Sequence, residues 1–162
     1  MGRSKDYLDT PTEESAMPKI LPDVAEMMRD IDYCMLSTIT SDGAIASRPM
    51  SNNNNVEFDG DSWFYATEDA GMVAEIDANS QVGVTYAGSA GLAGMLGKPG
   101  AFIHLRGQAT LVRDKGQIAA HWEKSLDRWY AQGKDTPGIV MIRVHASSIH
   151  YWDGEAEGEV SL

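Results

Sequence analysis

Ser47-Arg48-Pro49-Met50 lies between two hydrophobic runs of strand length, Cys34 to Thr40 before it and Asp61 to Thr67 after it. Proline has no N–H to give to a ladder, so it is confined to edges and breaks in a sheet. It also pushes the preceding residue, Arg48, into an extended conformation. An arginine held in this way can direct its five N–H donors at an anion. The segment therefore predicts a phosphate site built on a sheet, with a plain edge strand and a solvated arginine as the alternative.

Composition limits the classes of partner. A chain of 162 residues with 43% hydrophobic residues is long enough for one domain with a real core. It carries 24 acidic and 13 basic side chains, a net charge of -11, which argues against binding to nucleic acid or to anionic membranes. A single cysteine, Cys34, and no apolar run at the N-terminus suit a reducing, cytoplasmic location. An anionic ligand then needs a pocket in which positive groups are concentrated.

The pattern along the chain predicts one domain with two polar ends. Residues 1–18 are expected to form a loose arm, residues 19–153 the folded domain, and residues 154–162 an acidic, flexible tail. Helical spacing predicts a helix from Ile20 to Ile31 and a short one from Met72 to Ala78. The glycines that recur every third residue from Gly88 to Gly100 favour a surface loop.

The strands are predicted from alternation and turn signals. Ser41-Asp42-Gly43 and Asp59-Gly60 are both typical of hairpin turns. A long strand from Ala101 to Val112 precedes an amphipathic helix from Asp114 to Trp129. Ile139 to Val144 and Ser148 to Trp152 are expected to be separate closing strands. Mostly hairpin-linked strands with inserted helices indicate a mainly β protein, an antiparallel barrel with helices at its ends and Greek-key-like connections.

Common catalytic and nucleotide-binding motifs are missing from the sequence. It contains no G-x-G-x-x-G, no G-x-x-x-x-G-K-[ST] and no G-x-S-x-G. Cys34 opens an apolar strand and is expected to be a buried, inert thiol. The four histidines form no H-E-x-x-H, and no metal site is predicted. Trp122 and Trp129, seven apart on the predicted helix, suit the core, a subunit interface or the face of a planar ligand.

The order of these pieces resembles the pyridoxamine 5'-phosphate oxidase-like, FMN-binding split-barrel superfamily, and within it the bacterial general stress protein branch. The resemblance covers roughly residues 20 to 153. It rests on an ordered set of segments: Met35-Leu36-Ser37-Thr38, Asp42-Gly43, Ser47-Arg48-Pro49-Met50, Phe58-Asp59-Gly60-Asp61, Trp63-Phe64-Tyr65-Ala66-Thr67, Ile76-Asp77-Ala78-Asn79, Val82-Gly83-Val84-Thr85-Tyr86, Leu105-Arg106-Gly107-Gln108-Ala109 and Tyr151-Trp152-Asp153.

The resemblance implies a homodimer with FMN, or alternatively FAD, in a cleft between the subunits. It implies that Arg48 with Ser47 meets the phosphate and that Pro49 and Met50 run along the flavin. Contacts from the next strand and from across the dimer are implied for Tyr65, Ala66, Thr67 and Phe102. The chain departs from the family at Met72, where many relatives have a phosphate-binding lysine. Either FMN binds more weakly, or Lys98 or another cation substitutes, or a different ligand is used.

Three functions stay open at the level of sequence. The first is a flavin-binding protein of the general stress type with reductase or oxidase activity, its catalytic residues unknown. The second is a non-enzymatic module that senses or stores a flavin. The third is a split barrel that binds haem or no cofactor. After Trp152 the chain has no cation, whereas true pyridoxamine phosphate oxidases carry an Arg- and His-containing segment there, so that activity is not expected.

Overall fold

The structure, a computed structural model, describes residues 17–52, 57–89 and 100–162. Most of the predicted arm, the centre of the glycine-rich loop with Lys98, and three of the four consecutive asparagines lie outside these residues. None of the described helices is long and apolar enough to cross a membrane.

The described residues form seven strands in one antiparallel sheet. In chain order they are β1 Tyr33–Ile39, β2 Ile45–Ser51, β3 Asp61–Thr67, β4 Gln81–Ala87, β5 Ala101–Val112, β6 Ile139–Asp153 and β7 Ala156–Ser161. Spatially the order is β2-β1-β4-β5-β6-β3, and β7 pairs with the second half of β6. The predicted mainly β, antiparallel split-barrel fold is confirmed.

The helices are short; one precedes the first strand and the others connect strands. They are α1 Leu21–Arg29, α2 Gly71–Ala78 and α3 Lys115–His121, followed by two 3₁₀ helices, Lys124–Arg128 and Gly133–Asp135. Both predicted early helices are present. α1 buries Val24 and Met28, and α2 buries Val73 and Ile76 against the main core.

One of the two predicted hairpins forms. The turn after β1 is closed by the Gly43 N–H, which donates to Thr40 O at 2.9 Å, and Gly43 has φ 83°, a conformation that favours glycine. Asp59-Gly60 forms no β2–β3 hairpin, because β2 pairs with β1 and β3 pairs with β6. Asp59-Gly60 instead leads into β3, which lies at the opposite end of the sheet from β2.

The predicted helix from Asp114 to Trp129 is broken. The Asp114 carboxylate caps α3 by accepting the Gln117 N–H at 2.8 Å, but the chain becomes extended at Trp122. Trp122 packs edge-on against Tyr65 at 4.9 Å between ring centroids, and its indole N–H donates to Asp127 at 2.9 Å. The break lets both Trp122 and Leu126 cover the outer side of β3 and β6, where a second core cluster forms.

The two predicted closing strands are one strand, β6. Its pairing with β5 continues on both sides of a bulge next to Gly107. A side chain at Gly107 would place its Cβ 2.2 Å from His145 O, so the irregularity depends on glycine at this position. The register shift keeps the apolar residues of both halves of β6 buried.

The acidic C-terminus is a strand rather than a flexible tail. The chain turns back at Gly154, and β7 pairs with β6. The first pair is Asp153 with Ala156, and the last is Ser148 with Ser161. Alternation explains the difference, because Val160 packs against the core while the glutamates point outward. Glu159 bonds Arg106 at 3.2 Å, and Glu157 bonds the His150 ring at 2.7 Å.

Candidate functional site

The sheet does not close between β2 and β3, and this gap leaves backbone groups available. The backbone N–H of Thr40 donates to Ala44 O, and that of Asn52 donates to Asp32 O. Because hydrogen-bonded residues alternate along an antiparallel pair, the even-numbered residues of β2 bond to β1. The N–H and C=O groups of Ser47 and Ser51, and the C=O of Pro49, therefore point to the open edge. Pro49 has no N–H, so its place at this edge costs no ladder bond.

The facing edge of β3 is built in the same way. The backbone N–H of Glu68 donates to Gly138 O, and that of Ala146 donates to Gly60 O. The even-numbered residues of β3 are therefore the ones that hydrogen-bond to β6. The backbone groups of Trp63, Tyr65 and Thr67 then point away from β6. A flat ligand that enters between the two edges would meet backbone donors and acceptors from both strands.

A cavity of about 410 Å³ lies at this gap. This volume is within the range of about 300–1,000 Å³ that is typical of small-molecule sites. Its lining is mainly aromatic and apolar: Tyr33, Pro49, Met50, Ser51, Tyr65, Leu126, Trp129 and Tyr130. Such a lining suits the faces of a planar aromatic ring.

The Tyr65 hydroxyl is a buried polar group on a residue that lines this cavity. It is buried and has no hydrogen-bond partner among the described residues. Burial raises the pKa of this hydroxyl, and the negative charge of Glu123 raises it further, so it stays a neutral donor. A buried donor without a partner costs stability. A polar atom on a bound ligand would satisfy it.

Arg48 lies on the same face of β2 as Met50 but outside the cavity lining, and its guanidinium is turned toward α2. Its guanidinium donates to Glu75 Oε2 at 2.9 Å, to Thr38 Oγ1 at 2.6 Å and to Leu36 O at 3.3 Å. Thr38 in turn donates to Glu75 Oε2 at 2.5 Å. The arginine that the sequence assigns to a phosphate is therefore paired with a carboxylate of its own chain.

Of the other residues predicted to bind the flavin, some line the cavity and others lie elsewhere. The Ser47 hydroxyl bonds Ser37 at 2.7 Å on the face of β2 opposite Arg48, because side chains alternate along a strand. Thr67 donates its hydroxyl to Asp69 at 2.5 Å. Ala66 is buried in the main core, and Met72 packs against that core. Pro49, Met50 and Tyr65 are the predicted residues that the structure brings together around the cavity.

Phe102 lies far from this cavity along the sheet. It is on β5, separated from β2 by β1 and β4, and is 43% exposed. Within one chain it does not join the cavity lining.

The sequence reasoning missed several residues of the site. Tyr33 and Tyr130 line the cavity, and Glu75 holds Arg48. Trp129, one of the two tryptophans considered for a planar ligand, lines the cavity and is 56% exposed. Trp129 carried a signal in its residue type, whereas no local pattern distinguishes Glu75 from any other helix-surface glutamate.

The remaining chemically active side chains lie outside the cavity. Cys34 is buried, its Sγ bonds Met50 O at 3.8 Å, and burial raises the pKa of the thiol to about 12. The expectation that Cys34 is buried is therefore confirmed. In the described ranges, no three His, Cys, Asp or Glu side chains gather in a way that could hold a metal ion.

Comparison with known families decides the family membership. The profile of a family described as "Pyridoxamine 5'-phosphate oxidase like" matches residues 20–162. This chain belongs to the pyridoxamine 5'-phosphate oxidase-like family. A search among curated proteins found no match.

Solved structures support the split-barrel fold of this family member. A protein related to general stress protein 26 from Clostridium acetobutylicum superposes with a TM-score of 0.71 at 15% identity, covering 86% of this chain and 92% of that one. General stress protein 26 from Bacillus anthracis gives 0.64 at 21% identity, with 85% and 94% covered. A heme binding protein from Mycobacterium smegmatis gives 0.66 at 14% identity, with 86% and 58% covered.

Proposed function

We propose that this family member binds a flavin, with the ring system in the cavity between β2 and β3. The observation that carries the proposal is the buried Tyr65 hydroxyl, which has no partner among the described residues and belongs to a cavity lined by aromatic side chains. A flavin ring offers carbonyl and nitrogen acceptors at its edge and apolar faces on either side. The free backbone groups of Ser51 and Tyr65 would complete its polar contacts.

The site is proposed to be completed by a second copy of the chain. Tyr33 and Pro49 belong both to the cavity lining and to the exposed side of the sheet, so the cavity opens onto that side. A partner subunit packed there would cover the ring and could bring its own Phe102 toward it. In this arrangement the residues of the chain orient the ring and exclude water from its faces.

A bound flavin would supply the capacity to accept and donate electrons, and the general stress type of flavoprotein is the class proposed here. FMN is the form that the family resemblance favours, with FAD as the other. Oxidation of a pyridoxal-type phosphate is not part of this proposal.

The experiment is a visible absorption spectrum of the protein as purified, followed by titration with riboflavin, FMN and FAD. Flavin absorption and quenched flavin fluorescence are expected. A Soret band would replace this proposal with haem binding. Failure to bind any flavin at millimolar concentration would overturn the proposal. Reduction of bound flavin by a nicotinamide cofactor, with transfer to an acceptor, would separate an enzyme from a binding module.

A further inference from the structure

We propose that Glu75 neutralises the anion-binding end of this site, so that the protein accepts the flavin ring without selecting for a terminal phosphate. Riboflavin should then bind about as well as FMN. The inference rests on the proposed function and adds a specificity-determining residue to it. The residue is Glu75 on α2, whose carboxylate forms an ion pair with Arg48, the arginine expected to bind phosphate.

Three of the five N–H donors of Arg48 are already engaged within the chain. One end of the guanidinium meets Glu75, and the other meets Thr38 and Leu36 O. Thr38 also donates to the same carboxylate oxygen, which holds Glu75 in this orientation. The side chains of Arg48 and Glu75 are 22% and 20% exposed, and Thr38 is buried. This is a packed three-residue cluster rather than a surface ion pair.

The charges in this cluster oppose a phosphate. A phosphate that approaches Arg48 must either displace the Glu75 carboxylate or lie beside it. Displacement leaves a partly buried carboxylate without its partner, and coexistence places like charges within a few ångströms of each other. Either cost falls on FMN and spares riboflavin, which has no phosphate.

The neighbouring positions on α2 do not compensate. Its first turn, Gly71 to Ala74, includes no cation. Arg113, which also bonds α2, is paired with Glu68 at 2.6 Å and with Asp77 at 3.3 Å. In the described part of the chain, both arginines that bond α2 are thus paired with carboxylates.

The experiment measures dissociation constants of FMN and riboflavin for wild type, Glu75→Gln and the control Asp77→Asn. The control removes the same charge from the same helix but acts on a different arginine, Arg113, which remains paired with Glu68. Wild type should bind the two flavins within about threefold of each other. Glu75→Gln should tighten FMN about tenfold or more and leave riboflavin unchanged, because it removes a repulsion that only the phosphate feels. Asp77→Asn should change neither constant.

Arg48→Ala/Glu75→Gln tests whether the gain acts through Arg48. In the double variant the FMN advantage should disappear, which a general change of net charge would not produce. Riboflavin binding reports whether each variant is folded and has an intact ring site.

Three results would overturn the proposal while leaving flavin binding intact. They are a wild-type preference for FMN of more than about tenfold, an equal response of both flavins to Glu75→Gln, and no response of either. If none of the proteins binds any flavin, the proposed function fails and this inference fails with it.

Discussion

At the scale of single residues, the Tyr65 hydroxyl is the feature that links stability to binding. It lies buried beside the cavity without a partner among the described residues. Leaving such a group unsatisfied costs about 1–3 kcal/mol. The residue should therefore be a source of instability in the empty protein that a ligand removes.

We predict that Tyr65→Phe raises the free energy of unfolding of the ligand-free protein by about 1 kcal/mol. The same change should weaken flavin binding, because the hydroxyl no longer meets the ligand. Urea unfolding with and without flavin measures both effects. A variant that is less stable when empty would show that the hydroxyl has a partner in solution, and unchanged flavin affinity would remove it from the ring site.

At the scale of elements, α2 determines the charge next to Arg48. Met72 and Glu75 are three residues apart on this helix and share one side of it. We predict that Met72→Lys strengthens FMN binding by about 0.5–1 kcal/mol. The new ammonium would add a positive charge and compete with Arg48 for the Glu75 carboxylate. Titration at two salt concentrations should show the gain shrinking as salt rises. If riboflavin gains as much as FMN, residue 72 does not act on the phosphate.

β7 packs against β6 with a close approach between Gly158 and the Tyr151 side chain. A Cβ at Gly158 would lie 2.3 Å from the hydroxyl oxygen of Tyr151, and Tyr151 is buried. We predict that Gly158→Ala separates β7 from β6 and lowers the unfolding free energy by about 1–3 kcal/mol. Hydrogen exchange of the β7 amides and thermal unfolding measure the two effects.

The matched control is Gly71→Ala, at the start of α2, where an added Cβ meets nothing within 4 Å. It should be neutral or stabilising by up to about 1 kcal/mol, since alanine is the better helix former. Retained protection of β7 in Gly158→Ala would show that Tyr151 can move aside.

At the scale of the whole molecule, one side of the sheet carries exposed apolar side chains. They lie on β1, β2, β5 and β6, and paired registers place them on the same face: Tyr33, Met35, Ile45, Phe102 and Trp152. Several large apolar side chains exposed on one face are typical of an interaction site. Because the cavity opens at the edge of this face, a second copy of the chain is the proposed partner.

We predict a dimer that persists at micromolar concentration, with an interface on the order of 2,000 Å² or more. Met35→Glu, in the middle of the face and outside the cavity lining, should dissociate the dimer and weaken flavin binding at the same time. Sedimentation and flavin titration measure the two together. A folded wild-type monomer at micromolar concentration would contradict the prediction, and a monomeric variant with full flavin affinity would show that one subunit suffices.

The sequence alone predicted most of the strands and both early helices in their order along the chain, because alternation and helical spacing are local signals. It also identified Pro49, Met50 and Tyr65, which do line one cavity. It could not show that α3 would end at His121 or that the C-terminus would pair as β7. Both depend on contacts with distant strands.

The role of Arg48 shows where sequence reasoning reaches its limit. Residue type and the following proline correctly indicated an extended arginine on an edge strand. Its partner, Glu75, lies 27 residues further along the chain and was recognised only once β2 and α2 were packed together. The sequence by itself determined which groups could bind an anion, since that follows from side-chain chemistry. Only the tertiary structure decided that Arg48 is already paired. A charge pair forms through space, and the distance between two residues along the chain does not show whether their elements pack together.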